Sequence, residues 1–516
     1  MALANPYTLS NTTVITVDYI SVFTNVNTNI NTCVSAVVIT VVGTVVLVDF
    51  CNVWEILFCF LYLVCIKCAC RLMEGKIMLK KIFAIFVLCV SFVLSARAEL
   101  KVDIVAGALD PTSVAVQKFE TSNGVSSSDA KMIREVVEND LKRTGLFRIV
   151  SHDAFPEYVK MGELPNFKSW MAIKTQVLVQ TRMNVEPNGQ YKLEFFVWDI
   201  NGTEQIEAQS LVASKKSVRR MAHIMADAIY ERLTGELGYF DTQIVFIAET
   251  GPVHNRTKRM AIMDQDGYGM RYMSDEKTFV MSPHFSPNMQ TIVFLSYRDD
   301  DPMVWSLDLE TGEQRRLGQF GGMTFAPRFS PDGKKIALSL VKDGITHIYE
   351  YDIENKTMRQ LTFGNSINTS PSYSPDGKKL AFNSDRSGRQ QIHVLDLETL
   401  SEQRITYGAG RYATPAWSPD GQFIAFTKIA DDTFYVGIMD PRGRNEKILA
   451  GGWFMEAPSW APGSRRIVYY ETERALDDIE RISHIRSVDI TGQNIYDIEL
   501  PDNINGSEPT WSPRLM

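Results

Sequence analysis

The sequence predicts a mixed α/β N-terminal domain followed by an all-β six-bladed β-propeller, closed by strands from both ends of the domain. Three observations predict this. Serine-proline or alanine-proline pairs end at Pro287, Pro331, Pro375, Pro419, Pro462 and Pro513, at intervals of 44, 44, 44, 43 and 51 residues. An aromatic stands two residues ahead of each proline, at Phe285, Phe329, Tyr373, Trp417, Trp460 and Trp511. From Glu99 to about Gly238 that repeat is absent, and amphipathic helical patterns mix with alternating ones. A fixed period near 44 residues is the signature of stacked supersecondary units.

One period shows what the unit is. In Pro371–Arg389 (PSYSPDGKKLAFNSDRSGR), Pro375-Asp376-Gly377 is turn chemistry: proline presets φ, aspartate bonds its own backbone, and glycine accepts positive φ. Lys379 to Asn383 is a short apolar run, Ser384 to Gly388 a polar loop, and Gln391 to Leu397 alternates before the Glu398-Thr399 turn. Arg404 to Thr406 makes a last short strand, and Gly408 to Gly410 breaks the chain before Pro415 begins the next copy. Four short strands in about 44 residues describe a propeller blade. The sixth copy stops at Trp511-Ser512-Pro513, and its remaining strands are expected at Gln243 to Ala248, Arg259 to Asp264 and Met270 to Met273. Sewing the last blade from both ends removes exposed edges.

The chain has 516 residues, room for two or three domains, and a net charge of -8, which disfavours a nucleic-acid partner because phosphate binding needs a basic face. All seven cysteines lie at positions 33 to 89, and the cysteine-free remainder permits folding in an oxidising compartment without mispairing. Met78-Leu79-Lys80-Lys81, an apolar run from Ile82 to Leu94 and Ser95-Ala96-Arg97-Ala98 read as a secretory signal peptide, cleaved after Ala98 on the small residues Ala96 and Ala98. Residues 1–77 then read as a mis-assigned upstream extension, with a membrane hairpin through Val34 to Val48 and Ile56 to Ile66 as the alternative.

In residues 99–238, Leu100 to Val105 alternates as a strand and Ser113 to Phe119 offers another. Ser128 or Asp129 is placed to cap a helix whose Met132, Ile133, Val136, Val137 and Leu141 share a face, ended by Gly145. A short strand at Phe147 to Val150 follows, and Gln176 to Val185 and Tyr191 to Ile200 flank the Pro187-Asn188-Gly189 turn. A strand at Gln205 to Val212 and a second helix from Ser217, closed by Gly235, complete the domain.

A search for catalytic groups finds little. SPDG propellers also gate serine peptidases, yet there is no G-x-S-x-G motif. Asp332, Asp376 and Asp420 sit before glycine in hairpins, one per blade, as turn residues. The seven histidines show no H-x-H or H-E-x-x-H pattern, and His347 and His393 read as packing or surface residues. The inner strands' repeated positions are aromatic, Ser and Pro. No cofactor and no metal is expected. What remains is a surface. Two loop sets share one rim of the channel, at Met273 to Met281, Phe320 to Phe325, Phe363 to Thr369, Tyr407 to Thr414 and Gly451 to Met455, with Arg298 to Asp301 and Asp385 to Arg389 beside them. Aromatics, Met and Arg are what protein interfaces favour.

The signal peptide, the ELKVDIVAG start, the helix ending ERLTGELGYF, the strand TQIVFIAET and six xWSPDGxxIAF-like copies together resemble the TolB family, periplasmic components of the Tol-Pal system. The fifth copy departs as WAPGS, the first as FSPNM, and the last period is longer. The resemblance implies a non-enzymatic periplasmic protein that links the lipoprotein Pal to the inner-membrane protein TolA and supports outer-membrane constriction during division. It implies a TolA contact at the mature N-terminus, on Glu99, Leu100, Lys101, Val102, Asp103 and Ile104 within Glu99 to Asp110. It implies a Pal contact at the channel mouth, for which Ser274, Lys277, Phe279, Met281, Met323, Phe325, Asn368, Arg411, Tyr412, Phe454 and Met455 are the candidates. Other outer-membrane lipoproteins or porins are further candidate partners, with membrane association only indirect. The alternatives are a periplasmic propeller hydrolase, calcium-dependent, and a glycan-binding scaffold.

Overall fold

Turn chemistry builds the blades one residue at a time. In the third copy Ser374 Oγ donates to Asp376 Oδ1 (2.6 Å), the same oxygen accepts the Lys378 N–H (3.1 Å), and Ser374 Oγ accepts the Lys379 N–H (2.9 Å). Gly377 takes φ +68, a region open to glycine because it lacks Cβ. The same bonds recur at Ser330/Asp332 and Ser418/Asp420. The repeated aspartates are therefore turn residues, as their place before glycine indicates.

The structure, a computed structural model, describes residues 111–516 apart from 300, 319, 475–481 and 516, together with four strands within residues 12–50. Those four (Thr12–Val17, Ile20–Asn25, Ser35–Val41, Thr44–Phe50) pair antiparallel in chain order. The signal peptide with Ala96 and Ala98, the strand expected at Leu100 to Val105, and Glu99 to Ile104 as a tail site all lie outside the described residues.

Six four-stranded antiparallel sheets follow the repeat. Their inner strands are Val280–Phe285, Met323–Phe329, Asn368–Tyr373, Arg411–Trp417, Phe454–Trp460 and Asn505–Trp511. The sixth blade is sewn as expected: Asn505–Trp511 pairs with Gln243–Thr250, which pairs with Thr257–Asp264 and that with Arg271–Tyr272. Trp511 is the rivet. Its indole N–H donates to Thr242 Oγ1 (2.8 Å), its backbone N–H to Ser459 Oγ of blade five (3.0 Å), and the side chain is 4 % exposed. Trp511→Ala is expected to lower unfolding free energy by about 3–5 kcal/mol, the usual cost of deleting a buried aromatic, read as a fall in the denaturation midpoint.

The α/β domain carries helices α1 (Ser127–Arg143), α2 (Phe167–Ala172) and α3 (Val218–Thr234). Its sheet runs Glu204–Ala213, Tyr191–Asp199, Val177–Val185, Thr112–Val116, Phe147–Ile149, with Thr112–Val116 parallel to both neighbours. The expected caps shift slightly. The α1 helix starts at Ser127, and Asp129 is drawn instead to the Tyr191 hydroxyl, which donates to it at 2.9 Å. Gly235 ends α3 in the left-handed region, φ +74, as expected. Sequence periodicity missed α2, whose six residues are too few for a pattern, though its Trp170 is wholly buried.

One apolar cluster runs from α1 and α3 (Ile133, Leu141, Ile229) through Tyr239 and Phe240 into blades five and six (Val468, Ile485, Ile498, Trp511). The α/β domain thus docks on the turn side of the wheel. The irregular repeats mark the place. At Gly463 of the WAPGS copy, a Cβ would lie 2.3 Å from the Leu237 carbonyl oxygen, so no larger residue fits. In the last copy Arg514, where the other turns carry Asn, Asp or Gly, reaches Glu231 (2.5 Å) and Asp227 (3.5 Å) of α3.

The channel as candidate functional site

Each inner strand pairs with its neighbour on one side only, so its other edge faces the hub. An unpaired strand edge offers N–H and C=O groups to an incoming segment. Every inner strand also breaks register once, at a β-bulge. Alongside each break lies a residue with positive φ: Ser282 (+50), Ala326 (+51), Ser370 (+55), Thr414 (+44), Ala457 (+53) and Glu508 (+49). Proline follows every one. Positive φ is costly for residues other than glycine, and six equivalent occurrences around one axis mark a place where the fold imposes strain.

These six residues line a cavity of about 670 Å³ along the channel. Five of them are small, which leaves the lumen wide at this level; the sixth, Glu508, reaches in and accepts the Ser282 N–H at 2.5 Å. Among the polar side chains that share the wall are His284, Arg328 and Glu456, with Arg514 at the turn side. Burial raises the Glu508 carboxyl pKa, against the Ser282 N–H, Lys258 and Arg328. Burial also raises Glu456, and the Glu508 charge pushes it the same way. Burial and the neighbouring Arg328 hold His284 down to about 3, so it is neutral at pH 7. Burial lowers Arg328 to about 10, which leaves it charged there. The lumen therefore offers the Arg328 and Arg514 guanidiniums, the neutral His284 imidazole, the Glu456 and Glu508 carboxyl groups and a ring of strand edges, groups able to hydrogen-bond an incoming chain.

The mouth opposite the α/β domain is formed by the inter-blade loops and by those joining second to third strands. It exposes Phe279 (40 %), Met323 (52 %), Phe363 (57 %) and Tyr407 (71 %). The Phe279 ring meets Tyr297 edge-on at 5.2 Å, and Arg259 stacks over Tyr272 at 3.4 Å. Beside it, Glu249, Arg256, Lys258 and Trp453 line a smaller cavity of about 200 Å³. Apolar rings at the rim with polar groups inside is interface anatomy.

The description "TolB beta propeller domain" matches residues 230–515, and "TolB amino-terminal domain" matches residues 100–206. The chain belongs to the TolB family. A solved structure of TolB from Acinetobacter baumannii is similar at 25 % identity and TM-score 0.69, covering 78 % of this chain and 97 % of that one. The solved putative TolB from Agrobacterium tumefaciens matches at 20 % identity and TM-score 0.40, covering 50 % of this chain and 89 % of that one.

Within this TolB propeller the mouth residues expected from sequence divide into two groups. Lys277, Phe279, Met323 and Arg411 are exposed, and Ser274, Met281, Phe325 and Phe454 are half-buried along the same rim. Asn368, Tyr412 and Met455 are wholly buried and offer no surface. The strand alternation turns them into the wall: Asn368 Oδ1 accepts from Arg386 (2.9 Å), the Tyr412 hydroxyl donates to Glu446 (2.7 Å), and Met455 packs in the core of blade five. His347 and His393 are buried packing residues, 8 % and 4 % exposed. Sequence reasoning passed over the mid-channel ring and noted only aromatic, Ser and Pro at the inner strands' repeated positions, while Glu456 and Glu508 also stand there. A signal existed: in all six copies a proline lies four residues before the SP or AP proline, at 283, 327, 371, 415, 458 and 509, and the ring residue precedes it.

Proposed function

We propose that the chain is a non-enzymatic periplasmic binding protein of the Tol-Pal system, which holds Pal at the channel mouth and TolA through its tail, and so supports outer-membrane integrity and constriction during division. Family membership supports the general role. The single observation that carries the Pal part is the ring of strained, proline-followed residues with unpaired strand edges inside an apolar rim. The leader read at residues 78–98 supports export, and the polar-apolar alternation of Leu100 to Val105 supports pairing with a partner's sheet edge.

Deleting residues 99–110 tests the division of labour. Calorimetry is expected to show TolA binding lost and Pal binding retained. TolA binding at unchanged affinity after the deletion would refute the tail assignment.

A further inference from the structure

A buried charge cluster lies between α1, α3 and the turn of blade six at residues 264–271, away from the channel. His223 on α3 is 3 % exposed, and its Nδ1 stands 2.6 Å from Oδ2 of Asp140, a wholly buried residue of α1. Asp140 Oδ1 accepts from Arg143 (2.8 Å) on its own helix and from Gln265 (3.0 Å) on the blade six turn. Asp266 of that turn pairs with Arg143 at 3.3 Å and with Arg219 at closer range, and Arg219 Nε stands 3.4 Å from Asp264. A ring nitrogen of His223 and a carboxylate oxygen from each of Asp264 and Asp266 lie within 4.8 Å of one another. From α3 and its exit, Arg220 and Asp241 pair with each other at 3.1 Å, and the Asp241 charge also acts on His223.

The charges decide what the cluster does. Asp140, Asp264 and Asp266 carry three negative charges, and Arg143 and Arg219 carry two positive ones. The formal charges sum to one negative at a site whose Asp140 is wholly buried and whose Asp264 is partly exposed, and a protonated His223 imidazole cancels it. Both turn carboxylates already hold guanidinium groups, which makes a proton a better-fitting occupant than a divalent cation. The Nε2 of His223 is buried and has no hydrogen-bond partner among the described residues, so its N–H form meets the carboxylates through space rather than through a bond already made.

We propose that His223 is a proton-operated latch between the α/β domain and blade six. Protonated, it balances Asp140 and the 264–271 turn across the interface. When the proton leaves, the cluster keeps an uncompensated charge beside the wholly buried Asp140, which is costly, and the turn lifts from α1 and α3. Burial opposes the imidazolium, but Asp140 and then Asp266 outweigh it and hold His223 above its usual range. A folded-state value above the unfolded one of about 6.5 places the latch's stabilisation fully below that pH. It is lost as pH rises through the folded value.

The test compares the full-length protein with His223→Gln from pH 6 to pH 9. Expected is a melting temperature several degrees higher for the wild type at pH 6, with the gap closing as pH rises. In the wild type, amide exchange at residues 264–268 relative to the 374–378 turn is expected to accelerate with pH, and in His223→Gln that ratio stays flat. Asp140→Asn removes the main counter-charge and shifts the wild-type transition to lower pH. Should His223→Gln fail to fold, the wild-type exchange ratio decides alone. A melting gap independent of pH, or two turns exchanging in constant ratio throughout, overturns the latch.

Discussion

Asp227→Ala is expected to loosen the hinge between helix α3 and the propeller by about 3 kcal/mol or more. Asp227 is wholly buried, and its two carboxylate oxygens accept the backbone N–H groups of Phe240 (2.8 Å) and Asp241 (3.0 Å), the residues that lead into the first propeller strand. Alanine leaves both donors buried and unsatisfied, at about 1–3 kcal/mol each. Gly238 lies so near that a Cβ there would stand 2.2 Å from Asp227 Oδ1, so the turn is packed directly against the carboxylate. Arg514, 3.5 Å away, loses one of its two carboxylate partners and keeps Glu231. Burial lifts the Asp227 carboxyl to about 7 against these donors, so the comparison belongs at pH 8, where the carboxylate is ionised. Chemical denaturation of the full chain checks the size of the effect. Asp227→Asn, which keeps one acceptor, is expected to recover part of it.

Ser370→Trp is expected to weaken Pal binding at least tenfold, about 1.4 kcal/mol, with little change in melting temperature. Ser370 already sits at φ +55, so tryptophan inherits a strain the strand tolerates, and its ring projects into a lumen of about 670 Å³. Ala326→Trp places the same obstruction one blade away and is expected to act alike. Titration calorimetry with purified Pal reads both. Equal affinity in all three proteins would mean that the lumen is not entered.

The wheel was legible because its instructions are local. Ser-Pro-Asp-Gly makes its turn from its own hydroxyl, carboxylate and αL glycine, as Ser374 and Asp376 do, so the period reads through without tertiary knowledge. The closing blade was legible for the same reason: Gln243 to Ala248 repeats the run that follows each turn. What escaped depends on distant partners. The six-residue α2 is set by the burial of Trp170, not by a pattern of its own. Tyr412 and Asn368 read as rim residues by loop position, but strand alternation sends them into the wall. Glu456 and Glu508 each occur once in the repeat, so no regularity announced that blades five and six place both on one lumen. Conversely, two of the three copies that broke the repeat, WAPGS and the Arg514 turn, were signals of the α/β domain's footing on those two blades.

Hydrogen exchange of the full-length protein with and without Pal tests the channel mouth most directly. Protection is expected in the leading halves of the inner strands, at residues 322–326, 367–370 and 411–414, with none at the turns 331–334 and 375–378 on the opposite side. Protection confined to those turns, or to the α/β domain, would contradict the account.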